Sequence, residues 1–211
     1  MTKRLPQPPL LVITDRQQAR RPLDDILAAS FAAGCRWASV REKDLPPGEQ
    51  VALAQRLRSV ARDWNAWLTL HGDPALALEA GLDGVHLAAG GDAAAARKGM
   101  GKGALIGVSV HTAEEAAQLD AGLIDYLIAG PAYATASKPG HGPVLGMVGI
   151  GKISEATAVP VIAIGGITPG AVADMHIAGA VGIAVMGSIM RAERPQQDVE
   201  RLIAAVAPDS L

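Results

Sequence analysis

Short apolar runs punctuate the chain at regular intervals: LLVIT (10–14), WASVR (37–41), WLTLH (67–71), DGVHL (83–87), ALIGVS (104–109), DYLIAG (125–130), PVIAIGG (160–166) and VGIAVMG (181–187). Their lengths suit strands, and their continuity suits strands buried on both faces. Alanine-rich stretches with helical spacing lie between them. In LDDILAASFAAG, Leu23, Ile26, Leu27 and Ser30 fall near one face, and Gly34 is placed to end the helix. Eight strands alternating with helices predict an α/β fold, a single (β/α)8 TIM barrel over 10–207, with a loose segment over 1–9 and a tail over 208–211. A doubly wound open sheet is the alternative. It needs fewer strands and a glycine-rich turn after the first, where TDRQQARR stands instead. A faint internal echo, Ala-Gly shortly before a strand, recurs at 33–34, 80–81, 121–122 and 178–179 and reads as a repeated helix-to-strand turn.

Composition narrows the picture. A chain of 211 residues can form one large domain, and its net charge of −2 gives no reason to expect nucleic acid or an anionic membrane as partner. The single cysteine, Cys35, excludes an intramolecular disulfide and suits a reducing compartment. MTKRLPQPPL lacks the apolar core of a signal peptide, so a cytoplasmic location is expected. AGAVGIAVMGSIM is too short and glycine-rich to span a bilayer. At 3% aromatic content, the core is expected to be Ala, Val, Leu and Ile.

In a barrel of this kind, chemistry sits at the C-terminal ends of the strands. Those ends read Thr14-Asp15-Arg16, Arg41-Glu42-Lys43, His71-Gly72-Asp73, Ala88 to Asp92, Ser109-Val110-His111, Gly130-Pro131, Gly165-Gly166 and Met186-Gly187-Ser188. Gly165, Gly166 and Gly187 follow the seventh and eighth runs, where backbone N–H groups commonly hold phosphate; a plain tight turn is the simpler reading. Arg41, Lys43 and Lys138 offer cations for a diphosphate, against the alternative of surface charge. His86, inside a strand, reads as a packed core histidine, and His176 as structural. His111 precedes a capping box of Thr112 and Glu115. The loop AYATASKPGHGP is long, small and polar, as flaps over ligands are. Asp73 and Asp92 follow glycines at two turns; each either holds a metal or caps the next helix, Asp73 standing before Pro74 and Asp92 before an alanine run.

From VITDR (12–16) through SVREKDL (39–45), AGLDGVHL (80–87), IGVSVH (106–111), DYLIAGPAYATASK (125–138), VIAIGGITP (161–169) and GAVGIAVMGSI (179–189), the chain resembles the thiamine-phosphate synthase and TenI-like family. The resemblance implies a TIM barrel and a transferase that joins hydroxymethylpyrimidine diphosphate to thiazole phosphate, releasing pyrophosphate with Mg2+. It implies that Arg41, Lys43 and Ser109 grip the diphosphate, that Thr135, Ser137 and Lys138 belong to a loop closing over the substrates, and that Gly166, Met186 and Gly187 hold the thiazole phosphate. Ser39 and His71 fall at pyrimidine-binding positions where the family has glutamine and asparagine. Gly72 and Gly91 fall where it has metal carboxylates, leaving Asp73 and Asp92 one residue later. Pro131 falls where the TenI-like tautomerase has its catalytic histidine. The alternatives are a TenI-like enzyme acting on a thiazole phosphate or related heterocycle, with His71 as acid–base group, and a non-catalytic binder of thiamine intermediates. Partners are expected to be small phosphorylated substrates, with a homodimer as one mode of assembly.

Overall fold

The computed structural model describes residues 5–135 and 143–206. Strands and helices alternate from the start: β1 (Leu10–Ile13), α1 (Leu23–Ala32), β2 (Trp37–Val40), α2 (Pro47–Asp63), β3 (Trp67–His71), α3 (Pro74–Glu79), β4 (Gly84–Leu87) and α4 (Ala93–Met100). The second half repeats the scheme with β5 (Leu105–Val110), α5 (Ala113–Ala117), β6 (Tyr126–Ala129), α6 (Gly146–Glu155), β7 (Val161–Ile164), α7 (Val172–Ile177) and β8 (Gly182–Val185), followed by α8 (Gly187–Met190) and α9 (Pro195–Val206). All eight strands run parallel in sequence order. Pairing of β1 with β8, through Leu10↔Ile183 and Leu11↔Ala184, closes the barrel. The predicted fold is therefore the observed one.

The continuous apolar runs are explained by two cores. Successive side chains along a strand point to opposite faces. Leu10 and Val12 pack outward against the helices, together with the expected α1 face of Leu23, Ile26 and Leu27. Leu11 and Ile13 point inward and pack with Trp37, Leu105, Tyr126, Ile128 and Ile162. This interior departs from the aliphatic core expected of so few aromatics. Trp37 and Tyr126 sit edge to face inside it, with centroids 4.7 Å apart and planes at 83°. Each such ring buries on the order of 200 Å². Gly107 makes the space: a Cβ there would lie 2.1 Å from the Tyr126 ring.

The N-terminal segment is not loose throughout. Leu5 is buried in the interior cluster, and the Pro9 carbonyl accepts from Ile183 N at 3.0 Å. The echoed Ala-Gly turns precede the even-numbered strands. Gly34, Gly81 and Gly179 adopt φ of +104°, +66° and +87°, conformations that glycine tolerates best. Two of these turns also share an aspartate. Asp83 accepts from Leu68 N and Asp125 from Ile106 N, each at 2.8 Å, binding the start of an even strand to its predecessor. Among the described residues, no helix is long and apolar enough to cross a membrane.

Candidate active site

A cavity of about 620 Å³ opens at the C-terminal ends of the strands. Arg41 and Lys43, from the turn after β2, supply two of its cations. No described hydrogen bond or ion pair engages the Arg41 guanidinium, whose backbone N–H donates to Thr14 Oγ1 at 3.0 Å. Partial desolvation, and then the charge of Arg41, hold the Lys43 ammonium below its ordinary range. Glu42, between them, turns inward and is 2% exposed. It accepts from Thr14 Oγ1 at 2.7 Å and from Arg16 N at 3.1 Å on both oxygens. Burial pushes its carboxyl up, against the lowering effect of those donors. Glu42 thus ties the turn after β1 to the turn that carries both cations.

Strands β2 to β5 build the floor. Ser39 Oγ lies 2.7 Å from His71 Nδ1, and His86 Nε2 lies 2.8 Å from Ser109 Oγ. His71 and His86 are opposite each other in the β3–β4 register, with ring centroids 4.3 Å apart. Burial, and then the charge of Lys43, drive His86 down from 6.5 to about 3, so it is neutral at working pH. His71 and Ser109 line the cavity as expected. The expected place of Ser39 at the cavity is corrected: it is fully buried, does not line the cavity, and its hydroxyl meets the His71 imidazole instead. His86 is both the buried histidine expected and a cavity residue.

The opposite end is built from backbone. Gly165 and Gly166 follow β7 with φ of +103° and +63°. A Cβ on Gly166 would lie 2.5 Å from the Ala134 carbonyl, so glycine is required by space as well as by conformation. Gly166, Met186 and Gly187 all line the cavity, with Ser188 beside them. Among the described residues, no turn or loop hydrogen bond uses the N–H groups of Gly166, Gly187 or Ser188. Such N–H groups converging at one end of a cavity suit phosphate oxygens.

Asp73 and Asp92 are caps. Asp73 accepts from Ala75 N and Asp92 from Ala95 N, each at 2.8 Å, at the starts of α3 and α4. Neither lines the cavity, which corrects their expected place as metal ligands. No three described His, Cys, Asp or Glu side chains are grouped to hold a metal. Both Glu42 oxygens already accept from protein donors. Mg2+ needs one or two carboxylates beside substrate phosphates, so the described residues do not fit a protein-held Mg2+. Thr135 lines the cavity; Ser137 and Lys138 lie outside the described residues.

Sequence reasoning underrated His111 and missed Arg191, both of which line the cavity. The expected cap is present: Glu115 N donates to Thr112 Oγ1 at 3.1 Å, and Glu115 Oε2 accepts from His111 N. The ring does more, with Nδ1 2.8 Å from the Gly130 carbonyl. A carbonyl only accepts, so Nδ1 carries a proton. Arg191, just past α8, hydrogen-bonds Gln18 Oε1 across the closing seam. Its position one helical turn beyond the glycine turn was the available signal.

A sequence model of the family described as Thiamine monophosphate synthase matches residues 10–189. A putative thiamine-phosphate synthase of Geobacter sulfurreducens is 36% identical over 94% of this chain and 94% of its own. The thiamine biosynthesis bifunctional protein ThiM/ThiE of Symbiobacterium thermophilum is 44% identical over 81% of this chain, which spans only 36% of that longer protein. The solved structure of a thiamine phosphate pyrophosphorylase from Pyrococcus furiosus is 30% identical, with a TM-score of 0.82 over 93% of this chain and 94% of its own. Motif order, barrel and relatives agree: this chain belongs to the thiamine monophosphate synthase family.

Proposed function

We propose that the chain is a thiamine-phosphate synthase. It joins hydroxymethylpyrimidine diphosphate to thiazole phosphate and releases pyrophosphate. One observation supports this reading beyond family membership: a single cavity is lined both by the Arg41 and Lys43 side chains after β2 and by Gly166, Gly187 and Ser188 after β7 and β8, whose N–H groups no described turn or loop hydrogen bond uses, two sets of groups suited to anions. Two phosphorylated substrates need two such sets, facing the same space.

The chemistry suits what these residues offer. The bond between the pyrimidine methylene and its diphosphate oxygen breaks, and the electron pair leaves with pyrophosphate. The thiazole ring nitrogen then gives its lone pair to the methylene carbon. No proton has to be removed, so no general base is required, and the weakly basic His86 is no handicap. Catalysis consists of holding the partners in line and stabilising the departing charge. Arg41 and Lys43 supply that charge; Lys138, Ser137 and Thr135 are proposed to add to it from the loop. The tautomerase alternative is weakened by Pro131, which lines the cavity and can move no proton.

The test is a product assay with both substrates, with and without Mg2+. The expected result is thiamine phosphate and pyrophosphate in equal amounts, formed only when both substrates are present. Isomerisation of a thiazole carboxylate phosphate without any coupling would replace this reading with the TenI-like one.

A further inference from the structure

The two serine–histidine pairs under the cavity hold their protons in a definite order. Ser39 is fully buried, and His71 Nδ1 is the described partner of its hydroxyl, at 2.7 Å. If Nδ1 carried a proton, the Ser39 O–H would be a buried donor without an acceptor, which costs about 1–3 kcal/mol. Ser39 therefore donates to Nδ1, and the His71 proton sits on Nε2. His71 lines the cavity.

The second pair is decided the same way. His86 Nδ1 is buried with no hydrogen-bond partner, while Nε2 is 2.8 Å from Ser109 Oγ. With the proton on Nδ1, a buried N–H would be orphaned, which native proteins rarely allow. With the proton on Nε2, His86 donates to Ser109. The Ser109 O–H is then free for the cavity that it lines, where ligand or water can accept it. Burial keeps the ring neutral, so both nitrogens do not carry protons at once.

We propose that Ser39 and His86 are positioning residues: Ser39 fixes the tautomer of His71, and His86 fixes Ser109 as a hydrogen-bond donor toward the cavity. The Ser109 hydroxyl then offers its proton to ligand edges that carry acceptor atoms, such as phosphoryl oxygens. Ser109 stands as an oriented, uncharged donor beside the cations Arg41 and Lys43. The identity of the ligand rests on the synthase reading; the order of protons does not.

The test begins with the free, unmodified protein labelled with 15N at histidine. Long-range proton–nitrogen spectra at about pH 8, above the ordinary histidine range, report which nitrogen of each ring is protonated. Signals are assigned with His71→Gln and His86→Gln. The expected result is the Nε2–H form for both rings. Ser39→Ala should convert His71 toward a mixture of tautomers and leave His86 unchanged. A predominant Nδ1–H form at either ring in the unmodified protein overturns the proposal, whether or not any variant folds. A second arm titrates pyrophosphate calorimetrically. His86→Phe and Ser109→Ala should each weaken binding about tenfold, and the double variant should lose no more than either one. Losses that multiply overturn the coupling of His86 to Ser109. Both tautomers as expected in a protein that binds no pyrophosphate would support the order of protons and overturn the diphosphate reading.

Discussion

Glu42 is a buried acid flanked by two cations, yet its oxygens serve neither of their head groups. They accept from Thr14 and from the Arg16 N–H, and Thr14 in turn accepts from the Arg41 N–H. Glu42→Gln keeps the shape and removes the charge. It is expected to raise KM for the diphosphate substrate about tenfold with a smaller change in kcat, because hydrogen bonds to charged groups contribute about 1.5–3 kcal/mol. Arg41→Ala should instead lower kcat about 100-fold, the usual cost of losing one group aimed at developing charge. Equal effects of the two in steady-state kinetics would refute this division of labour. His86 gives a pH signature. Its pKa is about 3 in the folded protein and near 6.5 when unfolded. The unfolded state binds the extra proton first, so stability falls as pH drops from 6.5 toward 3 and is unaffected by this group above 6.5. By pH 4.5 the loss from His86 alone is roughly 2–3 kcal/mol. Urea unfolding at pH 7 and 4.5 should show that difference shrinking by this amount in His86→Gln.

The helices α3 and α4 settle a question that their first residues pose. A carboxylate before Pro74 or before four alanines is well placed to cap, and both aspartates do so. Asp73→Ala and Asp92→Ala should each cost about 1 kcal/mol of stability while leaving kcat and the Mg2+ dependence of the product assay as they were. A raised Mg2+ requirement in either variant would return that aspartate to the metal. These caps were legible because they are local: the acid and the N–H it serves are two or three residues apart. The strand alternation and the α1 face were legible for the same reason. The pairs Thr14–Glu42, Ser39–His71 and His86–Ser109 were not, since each joins residues 23 to 32 apart whose meeting depends on strand register. Periodicity reveals that a side chain points inward, not which neighbour it finds. The aromatic interior was hidden because composition reports how few rings there are, not that Trp37 and Tyr126 meet in the barrel.

Closure of the sheet brings β2 and β7 to one cavity although about 120 residues separate their turns. If its two ends hold different substrates, pyrophosphate and thiazole phosphate bind together. Each at a hundred times its Kd adds about 2.7 kcal/mol, a rise of roughly 5–10 °C in Tm for a chain of this size. The two shifts are expected to add; mutual exclusion would reduce the cavity to one anion site. The even-numbered strands hold another consequence. Their shared Ala-Gly turns lie at the starts of the strands, while every residue proposed to touch substrate lies at the opposite ends. In evolutionary terms, a (βα)2 unit copied around the ring would be remembered at the bottom, where only folding constrains it, and overwritten at the top, where each copy was given different chemistry. Gly34, Gly81 and Gly179 would be the unedited lines of such an ancestor, and Arg41, His86 and Gly187 its divergent ones.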